Sequence, residues 1–369
     1  MGGTKVLGVA IAGGGLVVAE ARAATPHAAV DPDQPVRGVA GDEVADAVAG
    51  VVAALQRQVP GAAGSHPVRV GVGVPGMVDR RHGILRFSPN LPGAAGTDMA
   101  GLLADRLPGA AVHLDNDANC AALAELRLGA AEGAADALVV TLGTGIGGGL
   151  VTAGRLRSGA YGYAGEIGHM VVDPAGPPCP CGRRGCWERY ASGGGLGRLA
   201  REAAYAGSLH GAVALAGGDP ELVRGEHVTR AALAGDPGAL DVLDELGWWV
   251  ALGLANLAAV LDPEVIVVGG GLAQVGDLLL APARRAFAEL VEGGGCRPAI
   301  DIVPATFGER AGAIGAALLA RDGPDGPDGS TSPRAPRAPS APRAPRAPSA
   351  PSAPRAPGRR PRSPGRRPR

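Results

Sequence analysis

Long apolar runs, lysines and aromatic rings are scarce in this chain of 369 residues, which holds ten aromatics and a single lysine, Lys5. No stretch approaches the roughly eighteen apolar residues of a membrane span, and no basic N-terminal segment leads into an apolar run of the signal-peptide kind. The sequence thus predicts a soluble, cytoplasmic protein. Five cysteines are too few for a disulfide scaffold of this length, and three of them crowd into eight residues, Cys179 to Cys186, at metal-site spacing. Positive charge is missing from the body: eleven arginines and no acid lie in residues 330–369, leaving 24 basic against 35 acidic residues before them. A body of that sign does not grip nucleic acid through clustered cations. Only the tail could bind nucleic acid or another polyanion. The arginine bias, with abundant Ala, Gly and Pro, fits GC-rich coding rather than a functional choice.

What is present alternates between strand and helix signals. Val6 to Ile11, the turn Gly13-Gly14-Gly15 and Leu16 to Ala19 read as a hairpin, and Asp42 to Leu55 as a helix. Val68, Val70, Val72 and Val74 alternate with small or polar residues up to Pro75-Gly76, a period-two strand. Val112 to Leu114 leads through Asp115-Asn116-Asp117 into an Ala/Leu-rich helix ending near Leu128. Leu138 to Leu142 reads as a buried strand that runs into the glycine run Gly143 to Gly149. Apolar residues from Leu243 to Leu261 recur at helical spacing and feed the strand Val265 to Val268 and Gly269-Gly270-Gly271. This alternation predicts an α/β protein with sites at strand ends. The Arg/Ala/Pro-rich residues 322–369 read as a disordered tail.

The strongest local signal is Cys179-Pro-Cys181 and Cys186, with His169 ten residues upstream. Three thiolates and an imidazole suit a closed, tetrahedral structural Zn²⁺ site. Cys120 and Cys296 stand apart and read as small core residues. Gly143-Thr144-Gly145 after an apolar strand can present backbone N–H groups to phosphate, and Gly2-Gly3-Thr4-Lys5 is a second turn of that kind. Either could equally be a tight turn, since the chain holds 62 glycines. Asp117 stands where a strand gives way to a helix, a position that also suits a helix cap. Glu166, His169 and Glu188 flank the cysteines, so a folded metal loop gathers two carboxylates and an imidazole, which suits a polyhydroxylated ligand.

Taken in order, GGTK at 2–5, GVGVPGMVD at 71–79, SPNLPG at 88–93, DNDANCAALAE at 115–125, TLGTGIGGG at 141–149, GEIGH at 165–169, CPCGRRGCWE at 179–188 and VVGGGLAQ at 267–274 resemble the ROK family of sugar kinases and repressors, in its bacterial glucokinase branch. The resemblance implies the actin-like, ribonuclease H-like ATPase fold, two α/β lobes with the active site in the cleft between them. It divides the chain into a small lobe at 1–116 completed by about 304–321, a large lobe with the zinc loop at 117–303, and the tail.

It also implies roles. Asp117 is the general base toward the sugar 6-hydroxyl, and Asn90, Asn116, Glu166, His169 and Glu188 join Asp117 in holding the sugar. Gly3, Thr4 and Lys5 with Gly143, Thr144 and Gly145 hold the ATP phosphates, and Gly269, Gly270 and Gly271 lie near the adenosine. His169 can bind zinc through one ring nitrogen and a sugar oxygen through the other. The implied cofactors are ATP, Mg²⁺ and structural Zn²⁺, and the implied activity is phosphorylation of glucose to glucose 6-phosphate by a homo-oligomer, dimer or tetramer. An N-acetylglucosamine or N-acetylmannosamine kinase, another hexose kinase and a catalytically impaired relative are the alternatives. A repressor is disfavoured because its helix-turn-helix has no counterpart before GGTK. The family motif is D-x-G-G-T-K after an apolar strand, and this chain starts at x with Met1. A chain beginning there is expected to lack that strand and the Asp facing phosphate and magnesium, and to be poorly stable and nearly inactive.

Overall fold

The computed structural model describes residues 5–26, 40–59 and 68–322, and every structural statement below concerns these. Gly3, Thr4, the Met1 start and the basic tail lie outside the described residues.

The first region opens with β1 (Lys5–Ile11), which turns through Gly13–Gly15 into β2 (Val17–Ala24), followed by α1 (Gly41–Gln58) and β3 (Arg69–Val74). A small antiparallel sheet of β4 (Met77–Asp79), β5 (Ile84–Phe87) and β6 (Thr97–Asp98) comes next, then α2 (Met99–Arg106), β7 (Ala111–Asn116) and α3 (Asp117–Leu128). The second region holds β8 (Ala137–Leu142), β9 (Ile146–Thr152) and β10 (Arg155–Leu156), then α4 (Glu188–Ala191), α5 (Gly193–Tyr205), α6 (His210–Leu215) and α7 (Gly225–Leu233). It closes with α8 (Pro237–Leu261), β11 (Val265–Gly269), α9 (Asp277–Leu290) and β12 (Asp301–Pro304), after which α10 (Ala311–Asp322) returns to the first region and packs on α3, β1 and β3.

The main sheet runs β10-β9-β8-β11-β12, with β8, β11 and β12 parallel, β9 antiparallel to β8 and β10 antiparallel to β9. Its central strands are apolar on both faces because helices cover both: Leu138, Val140, Ile266 and Val268 pack on α8 and α9, while Val139 and Val267 pack on the α3 side. In the first region β1 pairs with β2 antiparallel and β3 with β7 parallel, as two separate pairs. A cavity of about 350 Å³ lies between them, lined by Val6 to Ile11 on one side and Val68 to Gly73 on the other. Strand side chains alternate between faces, so six consecutive lining residues mark a strand edge rather than a face. Valines of α1 and alanines of α10 complete the lining.

Two sequence expectations need correction. The glycine run from Gly143 to Gly149 is not one loop: only its first three residues turn, and Gly147, Gly148 and Gly149 belong to β9. The reason is contact, since a Cβ at Gly147 would stand 2.6 Å from the Ala118 Cβ and one at Gly149 2.1 Å from the Ala122 Cβ. Bare backbone lets α3 lie directly on β9. Cys296 is exposed in the turn after α9 rather than a core residue, whereas Cys120 is buried as expected.

Candidate functional site

The strand β7 delivers its last residues to the start of α3, where side chains must satisfy the free N–H groups of the first helical turn. Asn116 does so, accepting from Ala118 N at 2.8 Å and Asn119 N at 3.1 Å, while its amide donates to the Gly76 carbonyl at 3.0 Å. With Asn116 as cap, the half-buried Asp117 needs only the Ala118 N–H, at 2.9 Å, and lines a cavity of about 240 Å³. Burial pushes its carboxyl above the usual carboxylate range. Asp115, one residue before the cap, is buried against Arg80, whose Nε lies 3.2 Å from Oδ2, and Asn119 donates to Oδ1 at 3.0 Å. The partnership of Arg80 with Asp115 spans loops and shows only in three dimensions.

Lys5, Thr141, Gly269, Gly270 and Glu309 line the same cavity as Asp117. Thr141 pairs with Gly269 at the carboxyl ends of the parallel strands β8 and β11, so Gly143-Thr144-Gly145 and Gly269-Gly270-Gly271 emerge side by side. Lys5 reaches across to form an ion pair with Glu309, which Arg22 also holds. The Gly143 turn is fixed by its N–H to Gly145 O at 2.9 Å and by Gly193 N–H to Gly143 O at 2.8 Å.

The cysteine loop hangs beside this turn. Trp187 is fully buried and donates its indole N–H to the Trp249 carbonyl of α8 at 2.7 Å, anchoring its neighbours Cys186 and Glu188. The ligand atoms of His169, Cys179, Cys181 and Cys186 all fall within 4.8 Å of one another. Cys179 Sγ is 3.6 Å from His169 Nδ1, and Cys181 Sγ is 3.6 Å from Cys186 Sγ. Thiolates on a tetrahedral zinc stand about 3.8 Å apart, given a Zn–S bond near 2.3 Å. The four residues therefore fit a metal of that size. The ring of His169 turns Nδ1 toward Cys179 and Glu188 Oε1, the latter at 3.4 Å, and Nε2 toward Glu166 Oε2 at 3.9 Å. Burial raises the Glu166 carboxyl, the His169 ring opposes the shift, and the Asp117 and Glu188 charges add to it.

Asp117, Glu166, His169 and Glu188 thus share one electrostatic neighbourhood. Asn90 does not join it; the residue is exposed in the turn after β5. Residues that sequence reasoning passed over but the cavity includes are Thr141, Glu125 and Glu309.

Glycine turns at the ends of parallel strands, facing a carboxylate at a helix start across a cleft, define a two-lobed α/β protein of the actin-like ATPase kind. The family model for the ROK family matches residues 1–323. The chain is 37% identical over 324 residues to the glucokinase of Streptomyces coelicolor, covering 87% of this chain and 96% of that one. It is 38% identical over 259 residues to the glucokinase of Thermotoga maritima, covering 69% and 79%. A crystal structure of a ROK family glucokinase from Streptomyces griseus in complex with glucose and AMPPNP superposes with a TM-score of 0.76 at 36% identity, covering 87% of this chain and 97% of that one. The chain belongs to the ROK family, and its fold is that family's actin-like fold. No described helix is long and apolar enough to cross a membrane.

Proposed function

We propose that this protein is a sugar kinase that transfers the γ-phosphoryl group of ATP to the 6-hydroxyl of glucose. The observation that carries this reading is the placement of Asp117, a carboxylate of raised proton affinity on a cavity shared with Lys5 and the strand-end glycines Gly269 and Gly270. Phosphoryl transfer asks a protein for position and charge stabilisation more than covalent chemistry. Asp117 accepts the hydroxyl proton as the sugar oxygen attacks. Glu166, His169 and Glu188 bind the sugar hydroxyls, together with Asn90 and Asn116. Gly3, Thr4, Lys5 and Gly143, Thr144, Gly145 take the phosphates, and Gly269, Gly270, Gly271 the adenosine.

The lobes in this reading are 1–116 with 304–321, and 117–303. The AMPPNP and glucose in the relative from Streptomyces griseus support ATP and glucose as the pair used here. Mg²⁺, held by the nucleotide phosphates, would neutralise charge on them. Zn²⁺ held by His169, Cys179, Cys181 and Cys186 is structural, because four protein ligands leave no open position. With Nδ1 committed to that side, His169 presents Nε2 to the sugar. The test is a panel of glucose, mannose, N-acetylglucosamine and N-acetylmannosamine with ATP, in which glucose is expected to have the highest kcat/KM. A higher value for an N-acylhexosamine would move the substrate while keeping the class; no turnover of any hexose would remove it.

A further inference from the structure

Glu125 is fully buried and forms no ion pair with a described cation. Its carboxylate is held by backbone alone: Oε2 accepts from Ala130 N at 2.9 Å and Thr306 N at 3.0 Å, and Oε1 accepts from Phe307 N at 3.0 Å. A buried carboxylate without such donors would be very costly, so these bonds are a condition of its being there. Packing is equally tight, for a Cβ at Gly129 would stand 2.3 Å from Oε2. Two of the donors come from a segment distant in sequence. Thr306 and Phe307 lie just before the 3-10 turn Gly308–Arg310 that runs into α10.

That segment forms one wall of the cleft. Ala305 lies close enough to Gly269 that a Cβ there would be 2.8 Å from the Ala305 Cβ, and Ala305, Gly308 and Glu309 line the cavity with Asp117 and Gly270. Glu309 in turn pairs with Lys5. One helix therefore carries Asp117 at its first residue and, about 12 Å further along its axis, the carboxylate that grips the opposite wall.

We propose that Glu125 is a positioning residue that sets the 305–309 segment, and with it the nucleotide side of the cleft, against Asp117. The inference rests on the kinase reading for what the cleft holds. Glu125→Gln keeps the side-chain size but points an NH₂ at one backbone donor, and Gly129→Ala displaces the carboxylate without removing it. In both variants KM for ATP should rise about tenfold, as expected when a charged acceptor loses a hydrogen bond. KM for glucose should stay within about twofold, and amide exchange at Thr306 and Phe307 should accelerate. A folded Glu125→Gln protein with the parental ATP KM, or with ATP and glucose KM raised equally, would overturn the proposal. If the parent protein turns over no sugar, the kinase reading has failed; titration with AMPPNP and the exchange rates at 306 and 307 then still decide the role of Glu125, with unchanged values in both variants counting against it.

Discussion

In the second region β8 runs between the β9–β10 hairpin and the β11–β12 parallel pair and is hydrogen-bonded along both edges. In the first region the β1–β2 hairpin and the β3–β7 parallel pair are not joined by hydrogen bonds, and a cavity of about 350 Å³ lies between them. The cavity is bounded by two strand edges and two helices. The difference shows what a central strand supplies. It joins a hairpin to a parallel pair, and its carboxyl end fixes the turn that faces a ligand, as Leu142 leads into Gly143-Thr144-Gly145. The first region brings Asp117 to the site by another route, through β7 and the Asn116 cap, so its chemistry depends on the β7–α3 junction rather than on the hairpin.

The largest expected effect tests that junction. Asp117→Asn keeps the shape and removes the proton acceptor, so kcat should fall by about 10² to 10⁴ in steady-state assays while glucose affinity changes far less. A helix-cap role alone would cost about 1 kcal/mol of stability and leave turnover nearly intact. Next comes the metal loop of the second region. Metal analysis should find one zinc per chain in the parent, and Cys181→Ala should release it and raise the glucose KM about 10- to 100-fold, because His169 and Glu188 lose their common anchor. Zinc-free protein with full activity would remove the loop from the account.

The pH profile gives a smaller shift with a definite sign. Asp117 must be ionised to accept a proton, and burial raises its proton affinity, so the acid limb of kcat should lie above the ordinary Asp value near 3.9. The same sign governs stability. A carboxyl raised on folding binds more protons in the native state, so its contribution weakens as pH rises from the unfolded value through the folded one. An acid limb at or below the ordinary value would mean that another group sets the profile.

The contrast between the sheets themselves is sharpened by hydrogen exchange. Amides of Val6 to Val9 and Val70 to Val72 should exchange at least about tenfold faster than those of Leu138 to Val140 and Ile266 to Val268, since strands flanked by a cavity open more readily. Equal protection would mean that the first region is as well tied as the second. Smallest of all, removal of residues 323–369 should leave kcat and glucose KM unchanged at physiological salt, as expected of a passive extension.

Local chemistry made much of this legible beforehand. The apolar run Leu138 to Leu142 could hardly be anything but a buried strand, the spacing of Cys179, Cys181 and Cys186 pointed to a loop that gathers them with His169, and the helical recurrence from Leu243 located most of α8. Contacts between distant residues were not legible. Nothing near Glu125 in the sequence announces donors 181 and 182 residues away. That Gly147, Gly148 and Gly149 belong to a strand was not legible either, because their purpose, close approach of α3, depends on which helix covers which strand. Asp115 and Arg80 are unremarkable singly and informative only as a buried pair.

The central claim is that Asp117 at the β7–α3 junction takes the proton as a phosphoryl group passes from ATP to the sugar. Its most direct test is a single-turnover experiment with γ-labelled ATP, glucose and excess zinc-replete enzyme, run for the parent and for Asp117→Asn. The account predicts label on glucose 6-phosphate in the parent and a rate lower by at least about a hundredfold in the variant, with glucose still bound. Label transferred at the same rate by both proteins, or no label on sugar from a parent shown to bind glucose and ATP, would contradict it.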